Sequence, residues 1–449
     1  MKLKINPYSN YFFWGTIGII FIYFTIIFKL VVNIPIADDY MAILRFLVDY
    51  SDATTAMEKL KLLFAQHAEH RILFTRLTAL FSFWIFGKVN FSFLILVGNF
   101  SLVMILFTIS RLLDARIEGK QFWIFIIALL LFSFQSQQNS FWAMAALSNY
   151  YVISFSVISI CCLHKSHNSF LVLFVGIFTA VLAVFSCGNG LVLMFLIIPL
   201  IFTLKDRGFK FILIVTILII LLVYFFNFQQ VEYNRFEISR LAQPFELIGY
   251  FFAFLGSLFT IVPSSQMGNL APLCVKLVGY AFPIMGGVVL FAYFMWLVYQ
   301  RYDKKNLVVF LMIFFIIITS MIVSVSRSGI AGAFQSRYKI HSLMLVIFML
   351  ISFIELYSKY FRKKWLVLIL VFTVGFYGLS LWFNLNRYLK MREIYIAGAK
   401  SYYETPDSTS LFLFYYPEGT INTQNVQQAA KSILNRCDSL NIYYLPNNF

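Results

Sequence analysis

The sequence predicts an all-α polytopic membrane protein with about 11 (11–13) transmembrane helices, interfacial helices in the first outward loop and a small outward α/β tail at the C-terminus. Three observations predict it. Of 449 residues, 61% are hydrophobic and 12% charged, and mean hydropathy is +0.82. A soluble chain of this size carries roughly 25% charged residues to cover its surface, so soluble enzyme folds are excluded for most of it. Apolar runs of about 20 residues recur along the chain, enough to cross a bilayer. Lys and Arg cluster in short loops between those runs, so the net charge of +16 reads as positive-inside topology rather than as nucleic-acid binding.

The first run, Tyr11 to Val32, follows Lys2 and Lys4 and leads into Pro-Ile-Ala-Asp-Asp, not a small-residue cleavage site. It reads as a retained anchor with a cytoplasmic N-terminus. Basic loops at Arg111–Lys120, His164–His167, Lys205–Lys210, Arg301–Lys305 and Lys359–Lys364 all fit the cytoplasmic side. Crossings then fall near Tyr11–Val32, Asn90–Leu112, Phe122–Ser136, Ala146–Leu163, Phe170–Phe185, Leu191–Leu204, Phe211–Phe228, Leu273–Val298, Leu307–Val325, Ile340–Tyr357 and Trp365–Phe383. Arg71–Phe86 and Phe245–Val262 are apolar, but as single added spans they break the charge pattern. They read as interfacial or re-entrant helices on the outer side. An odd number of crossings divides the chain into a membrane domain, residues 1–383, and an outward tail or cap, residues 384–449. The tail holds a strand-like run (Leu411–Tyr416), a helical pattern with Val426, Ala429, Ile433, Leu434 and Cys437 on one face, then Asn441–Leu445, together a βαβ-like cap. The cysteines, Cys161, Cys162, Cys187, Cys274 and Cys437, lack C-x-x-C spacing and read as small apolar residues.

Orienting the chain by its basic loops alone puts nearly all the unusual polar residues on the outward face. The first outward loop, residues 33–71, carries six of the nineteen acids, beginning with Asp38 and Asp39. Adjacent carboxylates at a membrane boundary repel each other and lose hydration, which raises one pKa and suits general-base work or a divalent cation. They also fit an N-cap on the helix from Met41. On a helix, His67, His70 and Arg71 share a face at i, i+3 and i+4, able to meet phosphate or the acids, with Glu69 between them. His67, Glu69 and His70 are assigned to substrate or acceptor binding and Arg71 to the donor phosphate; two His without H-E-x-x-H spacing make no predicted metal site.

Gln138, Asn139 and Trp142 in the second outward loop are typical equipment for hydroxyl-rich ligands, amides for hydrogen bonds and a ring for a sugar face; they also fit a polar turn with an interfacial Trp. Asn189 sits between two glycines in the turn Cys187–Gly190, which allow close backbone approach to a ligand. Near the end, Arg327, Arg337, Lys339 and His341 stand on the side where positive charge is disfavoured, with Tyr338 among them. Arg matches phosphate oxygens with a planar fork, so these four are assigned to a donor phosphate and Tyr338 to the acceptor; snorkelling anchors are the plainer reading.

In this layout the chain resembles the C-type (GT-C fold) integral membrane glycosyltransferase superfamily. The resemblance rests on the acid pair Asp38-Asp39 after the first span, the amphipathic segments later in that loop, the many spans, the outward cations and the outward C-terminal portion. Gly188-Asn189-Gly190-Leu191 and Ser336-Arg337-Tyr338 look like elements of uncharacterised bacterial members. No W-W-D string of the oligosaccharyltransferase type is present. The resemblance implies a bacterial inner-membrane enzyme with its site on the periplasmic face and a first-loop Asp as base. Its donor would be a polyprenyl-phosphate-linked sugar and its acceptor an outward lipid, glycan or protein. No cofactor is expected to be obligatory, a divalent cation at Asp38 and Asp39 being the possible exception. Two alternatives stay open: an O-antigen ligase or polymerase-like transferase using a diphosphate-linked donor, and a lipid-sugar flippase or transporter. Against the last, acids are almost absent from the middle of the predicted spans.

Overall fold

In the computed structural model the described residues are 9–113, 117, 119–166, 169–229, 243–260, 273–327, 329–360, 362–404 and 423–446. Lys2, Lys4, His167, Ser328, the run Leu411–Tyr416 and the side chains of Cys274 and Val426 lie outside them.

The chain opens with α1 (Ser9–Leu30), then a π-helical turn (Tyr40–Arg45), α2 (Phe46–Asp52) and α3 (Ala56–Phe64). A hairpin of β1 (Gln66–His67) and β2 (His70–Arg71) leads to α4 (Leu73–Phe86). Next come α5 (Phe91–Leu112), α6 (Lys120–Leu131), the short α7 (Gln137–Phe141) and α8 (Ala143–Ala145), and α9 (Tyr151–Lys165). The bundle continues through α10 (Phe170–Val184), α11 (Leu191–Thr203), α12 (Arg207–Phe225), α13 (Pro244–Leu255), α14 (Leu273–Tyr299), α15 (Leu307–Ser326) and α16 (Lys339–Tyr357). It ends with α17 (Lys363–Glu404) and α18 (Thr423–Ser439). Polar residues at the loop exits start several of these helices: Asn90, Asp206 and Asn306 accept the backbone N–H of Phe93, Phe209 and Val309.

Eight helical segments among the described residues are long and apolar enough to cross a membrane: Asn10–Leu30, Phe91–Leu112, Ala143–Lys165, Arg207–Phe225, Gly279–Tyr299, Leu307–Ser326, Ser336–Tyr357 and Lys363–Tyr402. The three other predicted crossings correspond to the shorter apolar helices α6, α10 and α11, so each expected position carries a helix, although only eight meet the length. The chain is therefore an all-α polytopic membrane protein. Residues 73–86 and 244–255, expected as interfacial, are the separate short helices α4 and α13.

One group of polar residues inside the bundle satisfies its members' hydrogen bonds. Tyr23 of α1 donates to Asn99 Oδ1 of α5 at 2.6 Å and lies 2.8 Å from Ser140 Oγ of α7. The helices approach closely where side chains are small: a Cβ on Gly98 would stand 2.5 Å from that of Ala146.

The C-terminal region departs most from expectation. α17 passes without a break through Asn384, where the membrane domain was expected to end. Its 42 residues rise about 63 Å, twice a hydrocarbon core of about 30 Å. Beyond the apolar part, Tyr388 Oη and Arg392 Nε donate to the carbonyl of Leu30 at 3.1 and 3.0 Å, capping the end of α1. α18 buries Ala430, Ile433, Leu434 and Cys437 against the first loop, and Arg436 pairs with Asp52 at 2.8 Å. Ala429, expected on the same face, is exposed. Residues 441–445 open on a turn, with Asn441 at φ 56°, and join no sheet: among the described residues the only strands are β1 and β2. The segment instead docks edgewise, Val89 N–H donating to the Ile442 carbonyl and Tyr443 Oη to that of Asn33. The tail thus lies at the same end of the bundle as Asp38.

Candidate functional site

The loops expected on one face do meet. The chain leaves α1 through Ile36-Ala37-Asp38-Asp39, with Ala37 in the left-handed region at φ 46°. That bend turns Asp39 inward, where Oδ2 accepts from Ile36 N–H at 2.9 Å and Oδ1 from Met144 N–H at 2.8 Å. Burial pushes its carboxyl up to about 8, against the two amide bonds. The raised acid of the pair is therefore the one whose oxygens are occupied. Asp39 is a clamp between the first loop and α8, and the pair does not offer two free carboxylates to a cation. Its neighbour Asp38 is half-buried, with no hydrogen bond or ion pair on its carboxylate among the described residues. It does not cap a helix.

The helical face expected for His67, His70 and Arg71 is replaced by the β1–β2 hairpin, with His67 opposite His70 and Gln66 opposite Arg71. Alternate residues of a strand point to opposite faces, so the two imidazoles share one side and Arg71 the other. Arg71 is consequently no phosphate ligand: Nε donates to the Tyr224 carbonyl at 2.6 Å, and its other nitrogens to those of Phe64 and Phe226. Gln66 holds the same strand of chain through Gln229. Arg76 is used likewise, on the carbonyls of Leu62, Leu63 and Ala65.

The imidazole side forms the centre of the cluster. Ala68, at φ 46°, lets the two-residue turn place Glu69, whose Oε1 accepts from Arg327 at 2.7 Å and lies 3.7 Å from His70 Nε2. Gly188 N–H donates to His70 Nδ1 at 3.2 Å. Burial pushes both imidazoles down, His67 to about 4, so both are neutral near pH 7 and His70 carries its proton on Nε2, towards Glu69. His70 feels the charges of Glu69, Arg327, Asp38 and Arg337 together. The glycine turn does allow a close approach, but to His70: a Cβ on Gly188 would stand 2.4 Å from Nδ1.

The amides of the second loop are engaged with the chain itself. Gln138 Oε1 accepts the N–H of Arg337 at 3.0 Å, and Asn139 donates to its carbonyl at 2.9 Å. They grip the backbone of Arg337, which with Asn149 occupies both polar atoms of Asn139 and the carbonyl oxygen of Gln138. Trp142 is 8% exposed, and its ring lies 5.8 Å from the Arg337 guanidinium, which also stands 5.1 Å from the Tyr338 ring. Neither the stacking surface nor the interfacial belt expected of that Trp is present. Asn189 Nδ2 is 3.0 Å from Nε2 of the buried His341, so these two are partners rather than separate ligands for substrate and phosphate.

Of the expected cations, Arg327 is neutralised by Glu69, and Arg337 has no acid partner among the described residues and a buried Nε without an acceptor. Lys339 stands apart. Residues two positions apart on a helix are rotated by about 200°, so Lys339 faces away from His341, and Arg387 of α17 lies within its electrostatic reach. Arg387 was missed because residue 387 was assigned to the tail. Its signal was the one that marked Arg327: positive charge on the expected outward side.

The cluster therefore unites a free carboxylate, two neutral imidazoles, one paired arginine and one unpaired arginine, contributed by segments up to 300 residues apart in the chain. Set against family models, curated proteins and solved structures, the chain matches none, and the reading of this cluster rests on its own geometry.

Proposed function

We propose that the chain is a membrane glycosyltransferase that moves a sugar from a polyprenyl-phosphate-linked donor to an acceptor hydroxyl. In this reading the cluster faces outward from the bacterial inner membrane, as the basic loops argue. The observation that carries it is the contrast between Asp38 and its surroundings. A carboxylate with no hydrogen-bond partner among the described residues lies within electrostatic reach of both neutral imidazoles, and one of them, His70, also feels Arg337, which has no counter-ion among those residues. Ionisable side chains that serve only the fold have their hydrogen bonds filled, as Asp39 does on two backbone amides and Arg71 on three backbone carbonyls.

Asp38 takes the proton of the acceptor hydroxyl, and the acceptor oxygen forms its bond to the anomeric carbon. The bond from that carbon to the lipid phosphate breaks, its electron pair leaving on the phosphate oxygen. Arg337 receives the growing charge with a fork already oriented by the Gln138–Asn139 grip on its backbone. Arg327, held by Glu69, orients the hairpin and with it the imidazoles.

The test is release of polyprenyl phosphate by the purified full chain in nanodiscs, given a labelled polyprenyl-phosphate hexose and an envelope extract as acceptor. Release by the wild type, abolished in Asp38→Asn, is expected. Equal release by Asp38→Asn, or turnover with a diphosphate-linked donor alone, rejects this reading in favour of a ligase-type transferase. Ion-gradient-driven uptake in vesicles without any transfer rejects both.

A further inference from the structure

We propose that Lys339 and Arg387 hold the phosphate of an anionic lipid, at a site separate from the cluster around Asp38 and independent of its chemistry. Lys339, the first residue of α16, is 9% exposed and makes no hydrogen bond or ion pair among the described residues. The charged group within its electrostatic reach is Arg387, another cation, and Arg387 likewise has no acid partner among them. Two neighbouring cations without a counter-charge among the described residues, one of them buried, are strongly unfavourable unless an anion completes them.

The surroundings supply the remaining donors. The loop between α6 and α7 is tied to α17 by Ser380 Oγ, which donates to the Ser133 carbonyl. It is tied to the start of α16 by Ser336 Oγ, which donates to the Gln135 carbonyl at 3.0 Å. Within this loop the hydroxyls of Ser133 and Ser136 are buried without a hydrogen-bond partner. Two cations and two unused hydroxyls, with no carboxylate paired to them, suit a tetrahedral oxyanion. The lipid origin follows from α17, which exposes Leu379, Trp382 and Phe383 (61, 68 and 67%) within two turns or so of Arg387. That face accommodates acyl chains, with Trp382 at the level where indoles meet headgroups.

The experiment uses the full chain in phosphatidylcholine nanodiscs with or without phosphatidylglycerol, reading retained phosphatidylglycerol by native mass spectrometry and the thermal midpoint by fluorescence. Phosphatidylglycerol is expected to be retained by the wild type and to raise its midpoint by about 2–4 °C. Lys339→Met is expected to bind it about tenfold more weakly and, freed of a buried charge, to melt no lower than wild type in phosphatidylcholine. Arg387→Gln, a half-exposed change that spares the core, is expected to weaken retention similarly. Wild-type retention and thermal response in both variants overturns the site. A midpoint raised equally by millimolar inorganic phosphate in phosphatidylcholine overturns the lipid assignment and makes the ligand a soluble phosphate.

Discussion

At one end of α15 and α16, Glu355 accepts from Tyr302 Oη at 2.6 Å and from Asn306 Nδ2 at 2.8 Å, while Lys305 Nζ donates to its carbonyl. At the other end, about 30 Å away along the 20 residues of α15, Asp38 and Arg337 have no such partners among the described residues. Both ends were built from the same materials, acids and cations in short loops between apolar helices. One completes its hydrogen bonds and closes. The other spends two backbone amides on Asp39, three carbonyls on Arg71 and two amide side chains on the Arg337 backbone, and still leaves a carboxylate and a guanidinium open. Elaborate support around unpaired groups marks where a ligand completes the structure.

The sharpest way to break this contrast is at the acid pair. Asp38→Asn is expected to lower turnover by about 10²–10⁴, the usual worth of a positioned base, and to leave the thermal midpoint nearly unchanged because its carboxylate has no partner to lose. Asp39→Ala is expected to act on the fold instead. It strands the amides of Ile36 and Met144, at about 1–3 kcal/mol each, and should lower the midpoint in detergent. If Asp39→Ala leaves the midpoint intact, or Asp38→Asn turns over within about threefold of wild type, the division of roles is wrong.

The arginines offer a smaller effect of the same kind. Arg337→Lys keeps a charge but loses the planar fork, so catalytic efficiency with donor should fall about tenfold, 1.4 kcal/mol. Arg327→Lys can still reach Glu69 and should stay within about threefold. Equal losses in the two variants, measured in donor titrations, would place the phosphate on both.

A third effect concerns pH. Asp39 is raised in the folded protein, so its contribution to stability is full below its ordinary value of 3.8 and is lost as pH rises towards about 8. His67 and His70 are lowered, so theirs is present above the ordinary 6.5 and is lost as pH falls, for His67 towards about 4. The two trends oppose each other in acid; above pH 6.5 the histidine contributions are constant, and of these three groups only Asp39 still titrates. The thermal midpoint is expected to fall from pH 6.5 to 8 and to flatten there in Asp39→Asn. A wild-type midpoint that stays level across that window contradicts the burial of this carboxyl as an acid.

How much of this was legible in the sequence depends on the range of the interaction. Hydropathy and charge are local, and they located a helix at every expected crossing and gathered the loops expected outward at one end. The choice between partner and free group is not local. Arg71 and Arg327 look alike in sequence, and what separates them is that one falls on the inner side of a hairpin and the other opposite Glu69, 258 positions away. Reading residues 67–71 as a helix put Arg71 with the imidazoles, and period two put it against Tyr224. Gln138 and Asn139 have the chemistry of sugar ligands, but only the packing of residues 336–338 beside them shows that they hold a backbone. The end of the membrane domain was placed at Asn384 because polarity rises there, yet a helix that leaves the bilayer has no reason to stop while its neighbours still cap it, as α17 does for Leu30.

The least effect on turnover is expected at the closed end, where the comparison is tested by its silence. Glu355→Met keeps about the length of the side chain but gives up both acceptor oxygens, so Tyr302 and Asn306 both lose their partner. A buried donor left unsatisfied costs about 1–3 kcal/mol, which should lower the thermal midpoint by a few degrees. Turnover at saturating donor should remain at the wild-type level, because α15 separates Glu355 from Asp38 by about 30 Å and no titrating group of the cluster is changed. A fall in turnover comparable to that of Arg337→Lys, at unchanged folding, would mean that the two ends are coupled through α15 and α16. The closed end would then have to be read as part of the machinery instead of as its contrast.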